Sequence, residues 1–196
     1  MSFPPSFPPQ PSLPEPDYRP PLVQHLQRHR REEGPGFTLE GLYLPDDPDG
    51  WRGRRRETPL PGFDESVLLE ITPQVDREEV EMVGAALVRL TERGDRDSRA
   101  SVEIALEATH ALWLAPALAR WLQGAGVDPA RLRIELRRLL QATSARETAK
   151  VCLWLLAEVG HAEDAGLAEL FAAHGEFARY GAHALAALAA DAADRL

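Results

Sequence analysis

The stretch that decides the fold is DREEVEMVGAALVRLTERG, residues 76–94. From Val80 to Leu90, its apolar residues recur at the three- and four-residue spacing of a helix with one buried face. Asp76 with an acid three residues later is typical of a capping box, and Gly94 is typical of a helix C-terminus. The stretch therefore predicts an amphipathic helix whose apolar face must be covered by other helices.

Similar signals continue to the C-terminus and predict a mainly α-helical domain over residues 76–196, with about seven helices joined by short connections. We expect the later helices to begin near Asp97, at Leu114 with Pro116 in the first turn, at Asp128-Pro129, at Ser144 with Glu147 as a second capping box, at Asp164 and at Glu176.

An internal repeat lies within this domain. The segments from Ala100 to Ala108 and from Ala149 to Ala157 carry alanine, valine, isoleucine or leucine at the same alternate positions. Such self-similarity indicates stacked helical units, each too small to bury its own apolar face alone.

The repeated segments resemble the HEAT-repeat and armadillo-like family over about residues 76–196. The resemblance lies in Arg99-Ala100-Ser-Val102 and Thr148-Ala149-Lys150-Val151 at the start of one helix, and in Leu114-Ala-Pro116-Ala-Leu118 and Gly166-Leu167-Ala-Glu-Leu170 at the start of its antiparallel mate. It implies a short α-solenoid of helix pairs that binds proteins and has no common catalytic motif. The repeat spacing exceeds the family's usual value, so an irregular helical bundle is the alternative.

Two segments precede the helical domain. Residues 1–21 are rich in proline and predict an extended arm, or alternatively a disordered tail. The arm's large apolar residues, which we expect to dock in a groove of this chain or of a partner, are Phe3, Phe7, Leu13 and Tyr18. Residues 22–75 predict a short polar helix ending near Gly34, followed by two candidate strands, 37–44 and 67–72, that can pair into a small β-ribbon.

Composition and charge narrow the classes of function. Hydrophobic residues make up 44% of the chain and charged residues 27%, as in a globular protein. No apolar run reaches the roughly 20 residues that cross a bilayer, and the N-terminus does not read as a secretory signal. With Cys152 as the single cysteine, no disulfide can form within the chain, and we expect a cytoplasmic protein, of bacterial type. The net charge is −9. The charge favours a protein partner over nucleic acid.

Two groups of arginines are the candidate partner-binding residues. The first group is Trp51 with Arg52, Arg54, Arg55 and Arg56. The second group, on a helix predicted at 129–141, is Arg133, Arg137 and Arg138, with Glu135 on an exposed side of that helix. Guanidinium groups bind carboxylates or phosphates, and an indole stacks on bases or guanidinium groups. Charge balance with neighbouring acids is the alternative interpretation of both groups.

Metal sites are not expected from the remaining polar patterns. His25 and His29 are four residues apart, but too few further ligands lie nearby for a zinc site. The acidic turn at 46–50 departs from the calcium-loop template.

The large apolar groups of the helices have a structural interpretation. Trp113, Trp121 and Trp154 are expected in the core, and Cys152 is expected to be a partly buried apolar residue. The last helix carries small residues, Ala186, Ala187 and Ala190, which form a candidate face for a second copy of the chain or for a partner. The alternative is that this helix caps the end of the helical array.

These patterns favour a non-enzymatic protein that binds another protein through its helical repeats. It would be an adaptor or structural subunit of an assembly, or an immunity-type inhibitor of a toxin. No cofactor is expected. Two alternatives stay open: an enzyme or ligand-binding module with a pocket between residues 36–72 and the helices, and nucleic-acid binding if the two arginine groups share one face.

Overall fold

The computed structural model describes residues 19–33, 44–46, 75–106 and 109–194. These residues form eight α-helices and no strand, which confirms the prediction of a mainly helical protein. The helices are α1 (Leu22–Glu33), α2 (Arg77–Arg93), α3 (Arg96–Leu106), α4 (Ala111–Gly124), α5 (Pro129–Ala142), α6 (Arg146–Val159), α7 (Ala165–Ala172) and α8 (Ala178–Asp194), with a 3-10 turn at Ala162–Asp164. Most of the proline-rich arm, and the candidate strands apart from Leu44, lie outside the described residues.

Two of the predicted helix boundaries rest on side-chain capping. The Asp76 carboxylate accepts a hydrogen bond from the backbone N–H of Glu78 at 2.9 Å, and Gly94 ends α2 with a φ of 64°. That left-handed conformation suits glycine because it has no Cβ. Asp128 accepts from the N–H of Ala130 at 2.9 Å and so begins α5 as expected.

The predicted capping box at Ser144 and Glu147 is wrong. Helix α6 begins at Arg146, and no side chain of its own first residues caps it. Instead, the carboxylate of Asp46, far away in the chain, accepts from the backbone N–H of Arg146 at 2.8 Å. The Glu147 carboxylate accepts from the backbone N–H of Ala111 at 2.8 Å and thus serves the start of α4. The unpaired N–H groups of a helix start take whichever acceptor the tertiary fold brings close.

The predicted start of α4 is also wrong. The helix begins at Ala111, so Pro116 lies inside it rather than in its first turn. A proline there removes one backbone hydrogen bond. Burial of Ala111, Leu112 and Leu114 compensates for that loss, because each of these side chains contributes apolar area to the helix interface.

The helices pack in two rows of contacts. In one row α2 contacts α4, α4 contacts α6, and α6 contacts α8. In the other, α1 lies against both α5 and α7. Helix α3 packs on α2 and α6, and α5 also contacts α2 and α6. Each helix therefore covers the apolar stripe of its neighbours.

Helix α1 belongs to this packing. Leu22, Val23 and Leu26 are buried, and the backbone N–H of Leu22 donates to the carbonyl oxygen of Thr143 at the end of α5, at 2.9 Å. Leu22 and Leu26, one turn apart, form its buried face. The sequence indicates a polar helix, and only the packing shows that its narrow apolar stripe is covered on two sides.

Candidate functional site

Five charged side chains converge at the N-terminal ends of α4 and α6. This group, the Lys150 cluster, consists of Asp46, Arg146, Glu147, Lys150 and Glu176. The Lys150 side chain is 3% exposed, and its Nζ lies 2.9 Å from Glu147 Oε1 and 2.7 Å from Glu176 Oε1. The Tyr180 ring lies beneath the same ammonium, 5.8 Å from Nζ to the ring centroid. Two carboxylates and a ring face therefore stabilise the charge of Lys150 away from water.

The second half of the cluster joins Asp46 to α6. Arg146 donates to the two Asp46 oxygens from Nε at 3.0 Å and from Nη2 at 3.1 Å, a bidentate arrangement. Arg146 Nη1 also lies 3.9 Å from Glu176 Oε1. The cluster thus ties residue 46, the starts of α4 and α6, and the turn before α8 to one another.

The sequence contains one signal for this cluster, although no motif identifies it. Lys150 is the one charged residue between Thr148 and Ala157. A lone charge within an apolar helical run that is buried on several sides requires oppositely charged partners. The partners Asp46 and Glu176 are distant in the chain, so no spacing rule identifies them.

Two of the predicted partner-binding arginines meet the same carboxylate. Arg133 Nε lies 2.7 Å from Asp164 Oδ2, and Arg137 Nε lies 3.1 Å from Asp164 Oδ1. Both arginines also pair with Glu163. These contacts fasten α5 to the turn that precedes α7. Binding of an outside partner by Arg133 and Arg137 stays a prediction, and it would have to compete with these internal pairs.

Asp164 is fully buried in this arrangement and still holds its charge. Burial by itself raises the pKa of the Asp164 carboxyl, but the hydrogen bonds from Arg133 and from the N–H of His161, with the charge of Arg137, outweigh it. The pKa of that carboxyl therefore lies below its usual range. The same contacts raise the pKa of the Arg133 guanidinium.

The expectation that Glu135 is exposed is wrong. Its side chain is buried between α5 and the α2–α3 turn, 2.5 Å from Arg138 Nη1 and 3.6 Å from Arg99 Nε. A Cβ at Gly94 would meet Glu135 Oε1 at 3.1 Å, so the glycine leaves room for the carboxylate. Arg138 therefore has a different partner from Arg133 and Arg137.

The remaining predicted binding residues lie outside the described residues, and their roles stay predictions: Trp51, Arg52, Arg54, Arg55, Arg56, Phe3, Phe7, Leu13 and Tyr18. Within the last helix, Ala186 and Ala190 are exposed and Ala187 is partly buried.

Three tryptophans and the cysteine lie within the described helices, where they are partly or fully buried. Trp121 and Trp154 pack against it and are partly buried, and the Trp154 ring stacks on His183 with centroids 4.0 Å apart. Trp113 is partly buried beside His110. Cys152 is fully buried, and burial raises the pKa of its thiol well above the usual range. This thiol is therefore held in its unreactive protonated form.

Large apolar side chains that reach solvent lie on three neighbouring helices. Met82 on α2 is 53% exposed, Ile104 on α3 is 71% exposed and Ile134 on α5 is 46% exposed. Helix α2 contacts both α3 and α5. We call Met82, Ile104 and Ile134 the outer apolar residues. The sequence pattern does not separate them from core residues, because isoleucine and methionine are buried in most contexts.

A cleft lies between α1 and α7. Its volume is about 330 Å³, and it is lined by Gln27, Arg30 and Arg31 of α1 and by Gly166 and Leu170 of α7. We call it the α1–α7 cleft.

Two further classes of site find no support in the described part of the chain. No three His, Cys, Asp or Glu side chains among these residues are placed to hold a metal ion together. None of the described helices is both long and apolar enough to span a bilayer.

Comparisons of the chain with protein-family models, with curated proteins and with solved structures found no match.

Proposed function

We propose that this protein is a non-enzymatic binding protein whose outer apolar residues contact another protein. The observation that carries the proposal is the exposure of Met82 on α2, and of Ile104 and Ile134 on the two helices, α3 and α5, that α2 contacts. Removal of such side chains from water on binding contributes about 25 cal/mol for each Å² of apolar surface. Large exposed side chains of this kind are typical anchors of protein interfaces.

The surroundings of Ile134 support this proposal. Arg131 and Arg138 lie one turn before and one turn after it on the outer face of α5, and both are exposed. Arg131 lies 3.7 Å from Asp128, and Arg138 bonds Glu135. An aliphatic side chain flanked by two arginines has an apolar centre and a polar rim, as an interface patch does.

The internal pairing of the buried charges also supports a binding role. Lys150, Asp164 and Glu135 each have oppositely charged partners within the chain, and these pairs stabilise the fold. Cys152 is buried and protonated. Because these groups are occupied by structural contacts, the exposed side chains of the described helices are the better candidates for recognition.

Two versions of the role fit the proposal. As an adaptor or structural subunit, the chain would use a HEAT-like arrangement of helix pairs as a scaffold in the cytoplasm. As an immunity-type inhibitor, it would use its net charge of −9 to approach a basic toxin. A stack of helices presents extended surfaces for either use.

The test is a pull-down with the intact chain, followed by cross-linking and mass spectrometry. We expect one stoichiometric protein partner with the native sequence and its loss with Ile104→Asp, because a carboxylate cannot replace a desolvated isoleucine. Ala100→Asp, at an exposed position one turn away on α3, is the matched control. Equal retention of the partner by both variants would show that the outer apolar residues are not the interface.

A ligand-binding module is the second candidate function. It is favoured by the contact of Asp46, which lies in the 36–72 segment, with Arg146 of the Lys150 cluster. Native mass spectrometry of the purified chain would show a retained small molecule, and Asp46→Ala would abolish its retention. A protein partner lost with Ile104→Asp, with no retained small molecule, would exclude this candidate.

A further inference from the structure

We propose that the α1–α7 cleft binds an acidic peptide segment of a partner. This site goes beyond the proposed function because it lies on α1 and α7, whereas the outer apolar residues lie on α2, α3 and α5. Two adjacent arginines, Arg30 and Arg31, are among the residues that line it.

Arg30 and Arg31 differ in their ion pairing from three other arginines of the described helices. Arg133, Arg137 and Arg146 are each paired with carboxylates. Arg30 and Arg31 are exposed and make no ion pair within the described part of the chain. Their N–H donors are therefore available to a ligand, and a guanidinium binds a carboxylate through two parallel hydrogen bonds.

The rest of the lining suits a peptide. Leu170 forms an apolar wall and is almost fully buried, and Gln27 offers an amide that can donate to or accept from a main chain. A Cβ at Gly166 would meet no atom within 4 Å, so the cleft is open on that side. A volume of about 330 Å³ accommodates a few side chains rather than a folded domain.

Two exposed acids of these helices do not occupy the arginines. Glu32 and Glu169 are exposed, and neither pairs with Arg30 or Arg31 in the described residues. The arginines also lie in the last turn of α1, where a positive charge stabilises the helix end. Stabilisation of the end of α1 would require no cleft. Binding of an acidic peptide in the assay below therefore distinguishes this role from a binding site.

An acidic peptide is favoured over nucleic acid. A nucleic acid brings a phosphate with every nucleotide and needs an extended run of cations. The cleft offers two arginines on a chain whose net charge is −9, so a long polyanion meets general repulsion beyond the cleft. A short segment with acids and apolar residues matches both the guanidinium groups and Leu170.

The test is fluorescence anisotropy with the intact chain and a labelled short peptide of alternating glutamate and leucine at low salt. The arms are this peptide, its glutamine counterpart and a single-stranded oligonucleotide of equal length. We expect the acidic peptide to bind, the glutamine peptide to bind far more weakly, and the oligonucleotide to bind more weakly than the acidic peptide. Absence of acidic-peptide binding, or tighter binding of the oligonucleotide, would overturn the proposal.

Variants locate the binding. Arg30→Glu with Arg31→Glu should weaken acidic-peptide binding by about tenfold or more, because two charge-assisted contacts become repulsive. Arg89→Glu with Arg120→Glu makes the same change of charge at exposed positions on α2 and α4, and it should change affinity by less than about twofold. An equal loss in both double variants would show that general charge, and not the cleft, attracts the peptide.

A neutral variant covers the case in which the charge reversal disturbs α1. Gly166→Leu adds an apolar side chain at the open side of the cleft without any charge change, and its Cβ meets no atom within 4 Å. It should weaken acidic-peptide binding while circular dichroism stays native, and unchanged affinity would overturn the assignment. Ile104→Asp should leave the peptide affinity intact, so failure of this site and failure of the proposed function are distinguishable.

Discussion

Replacement of Lys150 by methionine is the sharpest test of the structural argument. The side chain is 3% exposed and bonds Glu147 and Glu176 at once. Methionine has nearly the same length and fits the apolar part of the site, but it has no charge. Lys150→Met therefore removes the cation while both carboxylates remain beside each other in a largely buried place.

The expected loss follows from the cost of an uncompensated buried charge. Removal of one partner from a buried ion pair destabilises proteins by roughly 3–5 kcal/mol. Two features reduce that cost here: Glu147 keeps the N–H of Ala111 as a donor, and Arg146 lies 3.9 Å from Glu176. We therefore expect Lys150→Met to lower the free energy of unfolding by about 3 kcal/mol. That is a large part of the roughly 5–15 kcal/mol that stabilises a typical domain.

The assay is urea denaturation of the intact chain, followed by circular dichroism at a helix wavelength and by tryptophan fluorescence. A second variant, Lys150→Met with Glu176→Gln, removes the surplus negative charge and should recover part of the lost free energy. The matched control is Arg77→Ala. Arg77 lies 2.8 Å from Glu81 but is 90% exposed, so its loss should leave the unfolding midpoint almost unchanged.

Two results would refute the reasoning. If Lys150→Met lowered the free energy of unfolding no more than Arg77→Ala does, the ammonium would not be a buried partner of the two carboxylates. If the double variant were less stable than Lys150→Met alone, Glu176 would stabilise the fold through something other than the lysine.

Three further predictions concern close packing, acid stability and the attachment of residue 46. Gly181→Ala should lower the free energy of unfolding by about 1–3 kcal/mol, because the new methyl group would lie 2.6 Å from the backbone N of Ala172. Gly166→Ala meets open space and should raise that free energy by about 0.5–1 kcal/mol. Thermal unfolding of the two variants should therefore show opposite shifts in Tm. The pKa of the Asp164 carboxyl is depressed in the folded state, so this group stabilises the fold above the ordinary aspartate pKa, and the stabilisation is lost as the pH falls below about 4. Asp164→Asn should therefore make the free energy of unfolding fall less steeply in acid. An unchanged dependence on pH would contradict the buried pair. Asp46→Ala should lower the free energy of unfolding by about 1–2 kcal/mol, because the start of α6 loses its hydrogen-bond acceptor. Hydrogen exchange should become faster at the first amides of α6. Unchanged exchange at these amides would count against the contact between Asp46 and the backbone N–H of Arg146.

Sequence patterns predicted a helix boundary correctly where the capping residue is adjacent to the helix in the chain. Asp76 caps α2 and Asp128 caps α5 from adjacent residues, and Gly94 ends α2 in the conformation that glycine favours. The apolar spacing of α2 likewise predicted its buried face, because a helix period alone decides which side chains share a stripe.

Sequence patterns gave wrong predictions where the hydrogen-bond or ion-pair partner of a carboxylate comes from a distant part of the chain. Glu147 has the spacing of a capping box, yet it accepts from Ala111 on another helix. Glu135 has the surroundings of a solvated residue, yet it is buried near Arg99. A carboxylate has several acceptor sites, and the donor it takes depends on which helices meet, which no short pattern specifies.

Periodicity, capping chemistry and composition were enough to predict the helices of residues 76–196, most of their boundaries and the acidic charge. Three features come from the packing of the helices: α1 contacts both α5 and α7, Lys150 is buried between two carboxylates, and Met82, Ile104 and Ile134 stay in solvent. Burial and charge pairing depend on contacts between distant residues, which no local pattern contains. The same apolar or charged side chain is core or surface according to what lies opposite it.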